Sequence, residues 1–284
     1  MKLSIVTINY NNAEGLRKTL ASVALQTYRY IEHIVIDGGS TDKSVEVIKD
    51  YVNQCKKYDV LWVSEKDKGI YDAMNKGVKK ATGDYIQILN SGDVLASADV
   101  TERMIKELES ERLRELGGVD ILYGNMMKDY GNGKLVRDNC GGDNSTESFM
   151  YFYRGTLNHD CAYIRRDLFE KYGLYNDEMK ICSDWEWYVR AIVLGGARAL
   201  YTDIDVTIFD MNGVSESRGK NKELIKKERR EYLEKILHAS VLKDYDAYAF
   251  PIEQYQRLKK RHMWGLVYFL ERILFKLEKW HVLK

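Results

Sequence analysis

Three carboxylates in this sequence stand where chemistry could be done. Asp37 opens the run Asp37-Gly38-Gly39-Ser40-Thr41-Asp42. A carboxylate there can accept hydrogen bonds from a base or ribose, and the glycines let a ligand approach the backbone. The same run also suits a turn with a helix cap. Asp93 closes Asn90-Ser91-Gly92-Asp93, and it is either an oxygen ligand for a hard divalent cation bridging a diphosphate or a turn aspartate. Asp184 lies in Cys182-Ser183-Asp184-Trp185-Glu186-Trp187. It reads as a general base for an incoming hydroxyl, with the tryptophans as stacking faces for sugar rings, or as a carboxylate favoured at a helix start. His159, in Asn158-His159-Asp160, is a metal or phosphate contact or a structural histidine. Lys68, between Asp67 and Gly69, either neutralises phosphate charge or is simply solvated.

For these residues to meet, the chain must bring their loops together. Apolar, mostly β-branched runs at Leu3–Ile8, Ile31–Ile36, Val60–Val63 and Tyr85–Leu89 read as buried strands. Helical spacing relates Leu16, Leu20, Val23 and Ala24, then Val45, Ile48 and Val52 behind an Asp42 cap, then Tyr71, Met74 and Val78. This order predicts an α/β fold: a Rossmann-like, mainly parallel sheet flanked by helices. Right-handed crossovers align the strand C-termini along one edge, followed by four polar, turn-prone loops. Four such loops at one edge describe a ligand site. Neither a G-x-G-x-x-G fingerprint nor a P-loop is among them. Further on, the pattern predicts a helix over 100–116, a strand over 120–123 and a hairpin with a flexible loop over 131–142. A strand over 162–164, a helix over 184–194 and a strand over 199–209 follow.

The chain has 284 residues, 45% of them apolar, enough for a sizeable core. No apolar run approaches the roughly 18 residues of a membrane span. Met1-Lys2 leads straight into the first strand, so no secretory signal is expected. The four cysteines are far apart with no C-x-x-C pair, which predicts reduced thiols and a cytoplasmic protein. Net charge is +1, but residues 219–284 carry 16 basic against 9 acidic side chains, while residues 1–218 carry 28 against 34. A basic tail follows an acidic body.

The motifs resemble the family 2 inverting glycosyltransferases of GT-A fold, of the type that assembles bacterial capsule, exopolysaccharide and lipopolysaccharide. The resemblance rests on S-I-V-T-I-N-Y-N-N at Ser4–Asn12, L-x-S-V-x-x-Q-T at Leu20–Thr27 and E-H-I-V-I-D-G-G-S-T-D at Glu32–Asp42. It continues with S-E-K-D-K-G-I-Y-D-A-M-N-K-G at Ser64–Gly77 and G-D-Y-I-Q-I-L-N-S-G-D at Gly83–Asp93. N-H-D-C-A-Y-I-R-R at Asn158–Arg166 and S-D-W-E-W-Y-V-R-A at Ser183–Ala191 carry it to about residue 215. The resemblance implies that Thr7, Tyr10 and Asn11 flank the donor nucleotide. Asp37 binds the base, with Gly38 and Ser40 close by. Asp67, Lys68, Gly69, Asp72 and Asn75 line the ribose and diphosphate pocket. Asn90 and Ser91 stand in the acidic D-x-D motif, where Asp93 is the one remaining carboxylate and the implied ligand of Mg²⁺ or Mn²⁺. Asp184 takes the place of the catalytic base, with His159, Trp185 and Glu186 toward the acceptor.

The expected function is inverting transfer of a sugar from a nucleotide-sugar, a UDP-sugar by family habit, to a hydroxyl of a glycan or lipid-linked acceptor. The alternatives are a sugar nucleotidyltransferase and a catalytically inactive membrane-associated scaffold. Residues 1–218 are expected to form the catalytic domain, with the donor half at 1–93 and the acceptor half at 94–218. Residues 219–284 are expected to add a helical extension. Leu266, Phe269, Leu270, Ile273, Leu274 and Leu277 share a helical face there, among Lys259, Lys260, Arg261, Arg272, Lys276 and Lys279, with Trp264 and Trp280 bracketing the run. That pattern suits either peripheral contact with an anionic membrane, on its inner face, or packing against protein. No nucleic-acid partner is expected, since the body is acidic.

Overall fold

The computed structural model describes residues 1–131, 133–138, 148–211, 221–260 and 264–279. The chain divides into two compact units, Met1–Tyr232 and Leu233–Lys284.

In the first unit, β1 (Leu3–Asn9), β2 (Ile31–Asp37), β3 (Asp59–Ser64) and β4 (Tyr85–Asn90) alternate with α1 (Ala13–Ala24), α2 (Ser44–Gln54) and α3 (Ile70–Lys80). They pair in parallel in the order β3-β2-β1-β4. β1 and β2 are buried along their whole length, as strands covered on both faces must be. Leu16 and Leu20 of α1 and Val47 and Ile48 of α2 pack on Val35 from one side. On the other side α3 comes so close that a Cβ on Gly77 would stand 2.2 Å from Val6.

The sheet continues through β8 (Ala162–Arg165), β6 (Ile121–Asp129), β9 (Ala199–Asp210) and β5 (Val94–Leu95), with β7 (Leu135–Asp138) on β6. Here β6 and β9 are parallel and the remaining pairs antiparallel. The α/β fold with its mostly parallel sheet is as expected. The helix read over 100–116 is two, α4 (Val100–Leu108) and α5 (Glu111–Glu115), because Ser110 leaves the helix and caps the second with Oγ on the Leu113 N–H. Asp42 lies one residue before the helix-start position, Lys43, and accepts from the Ser44 N–H. Short helices α6 (Phe149–Arg154), α7 (Asp167–Tyr172) and α8 (Ser183–Tyr188) follow, and α8 widens into a π-helical turn over Val189–Leu194. The hairpin read in 131–142 is β6–β7, and its residues after 138 lie outside the described ones. Cys55, Cys161 and Cys182 are free thiols, and Cys140 lies outside the described residues.

α9 (Lys222–Ile236) runs from the first unit into the second, so the first reaches past the charge boundary read at 218. The second unit continues with α10 (Ala239–Lys260), a helix containing Pro251, and α11 (Trp264–Lys279). Among the described residues no helix is long and apolar enough to cross a membrane.

Candidate active site

The site begins at the strand ends. Asn9 pairs across from Asp37, and Asp37 from Ser64. Fully buried, Asp37 accepts at Oδ1 from Asn9 Nδ2 (2.7 Å) and Ser40 Oγ (2.5 Å), and at Oδ2 from Ser64 Oγ (2.6 Å) and the Ser40 N–H (3.0 Å). Burial would raise this carboxyl, but the bonds from Ser40, Ser64 and Asn9 outweigh it and hold it below the usual range. A carboxylate has about four lone-pair sites, and all are taken. In this structure Asp37 ties three strand ends together. Thr7 lies inside β1 with Oγ1 2.9 Å from the Nε2 of buried His33. Asn75 is also structural, its amide donating to the Tyr175 carbonyl (2.8 Å) and accepting from the Tyr175 N–H (3.0 Å).

Over these ends opens a pocket of about 600 Å³, lined among others by Tyr10, Gly38, Asp67, Lys68, Gly69, Asn90 and Ser91. Its space depends on Gly38, where a Cβ would stand 2.9 Å from Asp67 Oδ2 and 3.2 Å from the Tyr10 ring. Gly39 adopts φ 77°, a left-handed conformation that glycine alone enters freely. The rim is built by Asn11, whose N–H donates to Ser40 Oγ (2.8 Å) and whose Oδ1 accepts from the Thr41 N–H (2.8 Å). Asp72 accepts from the Lys68 N–H (3.0 Å) and fixes the turn into α3. Asp67 Oδ1 accepts from Lys76 Nζ at 2.6 Å, yet burial still raises its carboxyl. Lys68 is 80% exposed, with its ammonium 3.9 Å from Asp177.

A chain of titratable groups runs away from Asn90. Its Nδ2 lies 3.0 Å from His159 Nε2 and 3.2 Å from Asp93 Oδ2. His159 Nδ1 lies 3.4 Å from Asp184 Oδ2, and the Tyr71 hydroxyl, which donates to the Ile181 carbonyl at 2.5 Å, lies 3.1 Å from Asp184 Oδ1. Burial would lower His159, but Asp184, with Asp160 and Asp93 beyond, holds it at about 9. Burial would raise Asp184, but His159, the Trp185 N–H and Tyr71 hold it below the usual range. The result is an imidazolium–carboxylate pair at neutral pH. A charged His159 donates from both nitrogens, so its Nε2–H calls for the Asn90 amide oxygen, which a half-turn of that amide presents. Sequence reasoning missed Tyr71 as a site residue, since helical spacing shows only that it faces inward.

Asp93 is buried, and burial beside Asp160 pushes it up to about 8 against His159 and Asn90. Among the described residues no three His, Cys, Asp or Glu side chains are grouped to hold a metal ion. With the Asn90 amide oxygen turned to His159, the protein donor available is the Asp93 carboxylate. One hard carboxylate oxygen suits Mg²⁺ or Mn²⁺ when ligand oxygens and water complete the shell. A second cavity of about 360 Å³ shares Ile70, Asn90 and Ser91 with the first and reaches Gly92, Asp93 and Lys18.

The stacking role expected of the tryptophans is corrected. Trp185 is 1% exposed, donates Nε1–H to the Phe152 carbonyl (2.7 Å) and lies edge-on to Tyr232. Trp187 is fully buried and stacked on Phe169 with ring centres 4.7 Å apart. Glu186 is buried against Arg190, at 2.9 and 3.0 Å.

Residues 4–173 match the family described as Glycosyl transferase family 2. An uncharacterized glycosyltransferase of Mycobacterium tuberculosis is 34% identical over 195 residues, 68% of this chain and 69% of the relative. Among solved structures, Staphylococcus aureus TarS 1–349 in complex with UDP superposes with a TM-score of 0.58 at 21% identity, over 74% of this chain and 61% of that one. A mannosyltransferase from Pyrobaculum calidifontis, in complex with GDP-Man and Mn²⁺, does so with 0.58 at 18% identity, over 80% and 60%. The chain thus spans less than two thirds of either solved chain, and the likeness is one of GT-A fold.

Proposed function

The chain belongs to glycosyl transferase family 2 and is a glycosyltransferase; from that premise we propose that it transfers a sugar, with inversion, from a nucleotide-sugar to an acceptor hydroxyl. The observation that carries this reading is the strand-end pocket with the Asn90–His159–Asp184 chain leading from it. The nucleoside diphosphate occupies the pocket over Gly38 and Gly39, between Tyr10 and Asp67, and Lys68 and Gly69 meet the phosphates. A UDP-sugar is the favoured donor, and the UDP complex of a protein of similar fold supports that choice.

Asp184 accepts the proton of the acceptor hydroxyl as its oxygen bonds to the anomeric carbon. The bond from that carbon to the diphosphate breaks on the opposite face, and the single displacement inverts the configuration. His159 keeps Asp184 ionised and oriented, and Tyr71 fixes its second oxygen. Asp93 would hold a divalent cation, which when bound supplies positive charge to the leaving diphosphate.

The acceptor is a glycan or lipid-linked hydroxyl of bacterial surface polysaccharide synthesis, a reading that rests on the motif resemblance. Peripheral contact with the inner face of the membrane would serve a lipid-linked acceptor. α11 supports it by exposing Leu266, Tyr268, Phe269, Leu270, Ile273 and Phe275 beside basic Arg272 and Lys276.

Asp184→Asn tests the mechanism. Turnover of the donor is expected to fall by about 10³-fold or more, with nucleotide affinity within twofold of wild type. Undiminished turnover would remove Asp184 from its role.

A further inference from the structure

α9 begins well beyond the residues that match the family, yet one of its side chains holds the segment that carries Asp184. Glu228 is buried, and its carboxylate accepts three successive backbone N–H groups. Oε1 takes Lys180 at 2.7 Å, and Oε2 takes Ile181 at 3.1 Å and Cys182 at 3.0 Å. These groups immediately precede α8, of which Asp184 is the second residue. The next links run to the base itself. The Tyr71 hydroxyl lies 2.5 Å from the Ile181 carbonyl and 3.1 Å from Asp184 Oδ1, so a shift of Ile181 moves the group that orients the carboxylate. Two neighbours on α9 grip the residue after Asp184. Arg229 lies over the Trp185 ring, 5.0 Å from its centre, and Tyr232 meets the same ring edge-on at 5.7 Å.

We propose that Glu228 is a positioning residue for catalysis, clamping Lys180–Cys182 so that Asp184 meets the acceptor hydroxyl in the productive geometry. The proposal rests on the reading of Asp184 as the base. Charge-assisted bonds accepted by one carboxylate from three amides are strong and directional. A second consequence concerns the chain beyond Tyr232. α9 continues into the second unit, so the helix that holds the base is covalently continuous with the C-terminal helices. Glu228 thereby belongs to the machinery of transfer, although charge placed it in the tail.

Hydrogen–deuterium exchange on the full chain gives a test that needs no substrate. Glu228→Gln keeps the volume but replaces one acceptor oxygen by a donor. Exchange at Lys180–Cys182 is expected to quicken about tenfold or more, with exchange over the pocket residues 64–72 unchanged. Turnover of the donor should fall about 10- to 100-fold with donor KM within twofold, and Glu228→Asp should recover part of the loss. In Asp184→Asn the Glu228→Gln change should cost nothing further, because its effect passes through that carboxylate. A merely structural residue would instead lower nucleotide affinity and melting temperature and add its loss to that of Asp184→Asn. Unchanged exchange at Lys180–Cys182, or quickened exchange with wild-type turnover, overturns the proposal. If Asp184→Asn itself retains full turnover, the base assignment falls first and takes the catalytic part of this proposal with it.

Discussion

In its proposed role, Asp184 would work as a base by position rather than by basicity. Its carboxyl is held below the usual range because His159, the Trp185 N–H and Tyr71 outweigh its burial, so it is ionised at neutral pH but draws a proton only as the hydroxyl attacks. The pH dependence follows from the pair. Replacing His159 by Gln removes the positive partner, so the pKa of Asp184 must rise. The acid limb of kcat/KM is then expected to move to higher pH, read from a pH–rate profile. An unmoved limb would mean that the pair does not govern the base. The carboxylates also show where sequence stops informing. That Asp37 and Asp184 matter was legible from their places after a strand and at a helix start. Which of them faces a ligand was not. Asn9 and Ser64 are far from Asp37 in the chain and meet it only through strand register.

At the level of elements, the parallel half of the sheet was legible because apolar, β-branched runs and Gly/Asn/Asp turns repeat in the first 90 residues. The helix carrying Asp184 was legible from its apolar spacing, but the surroundings of its tryptophans were not. A Trp-x-Trp pair beside a carboxylate suggests a sugar platform, whereas Phe152, Phe169 and Tyr232, all distant in sequence, enclose both rings. Trp185 is therefore a packing residue. Its replacement by Ala should lower stability by about 3–5 kcal/mol, measured by urea denaturation. A soluble variant of near wild-type stability with a raised acceptor KM would restore the stacking role. The break at Ser110 was hidden because the apolar spacing continues across it, while a single hydroxyl restarts the helix. α10 falls within the helical extension expected over 219–284, although it includes Pro251, a residue normally disfavoured inside a helix.

For the molecule as a whole, the buried charges of the site make stability depend on pH. Asp93 has a folded pKa of about 8, against about 3.9 when unfolded. Between those values the folded state binds a proton that the unfolded state does not, so stability falls as pH rises through that window. His159 acts in the same sense: its folded value of about 9 exceeds the unfolded 6.5 or so. Its contribution is full below the unfolded value and is lost as pH rises through the folded one. Asp93→Asn removes the first term. Between pH 5 and pH 9 in chelator, the variant should gain about 2–4 kcal/mol on wild type, followed by denaturation at each pH. A difference that stays flat across that range would show that Asp93 ionises freely without metal. The measurement that bears most directly on the account is calorimetric titration of UDP, GDP and dTDP, with and without Mn²⁺, into wild type and Gly38→Val. One nucleoside diphosphate should bind wild type, more tightly with Mn²⁺, and lose about tenfold or more in affinity once a side chain fills the space between Asp67 and Tyr10. No binding by any of the three, or equal binding to Gly38→Val, would contradict the assignment of the strand-end pocket to the donor.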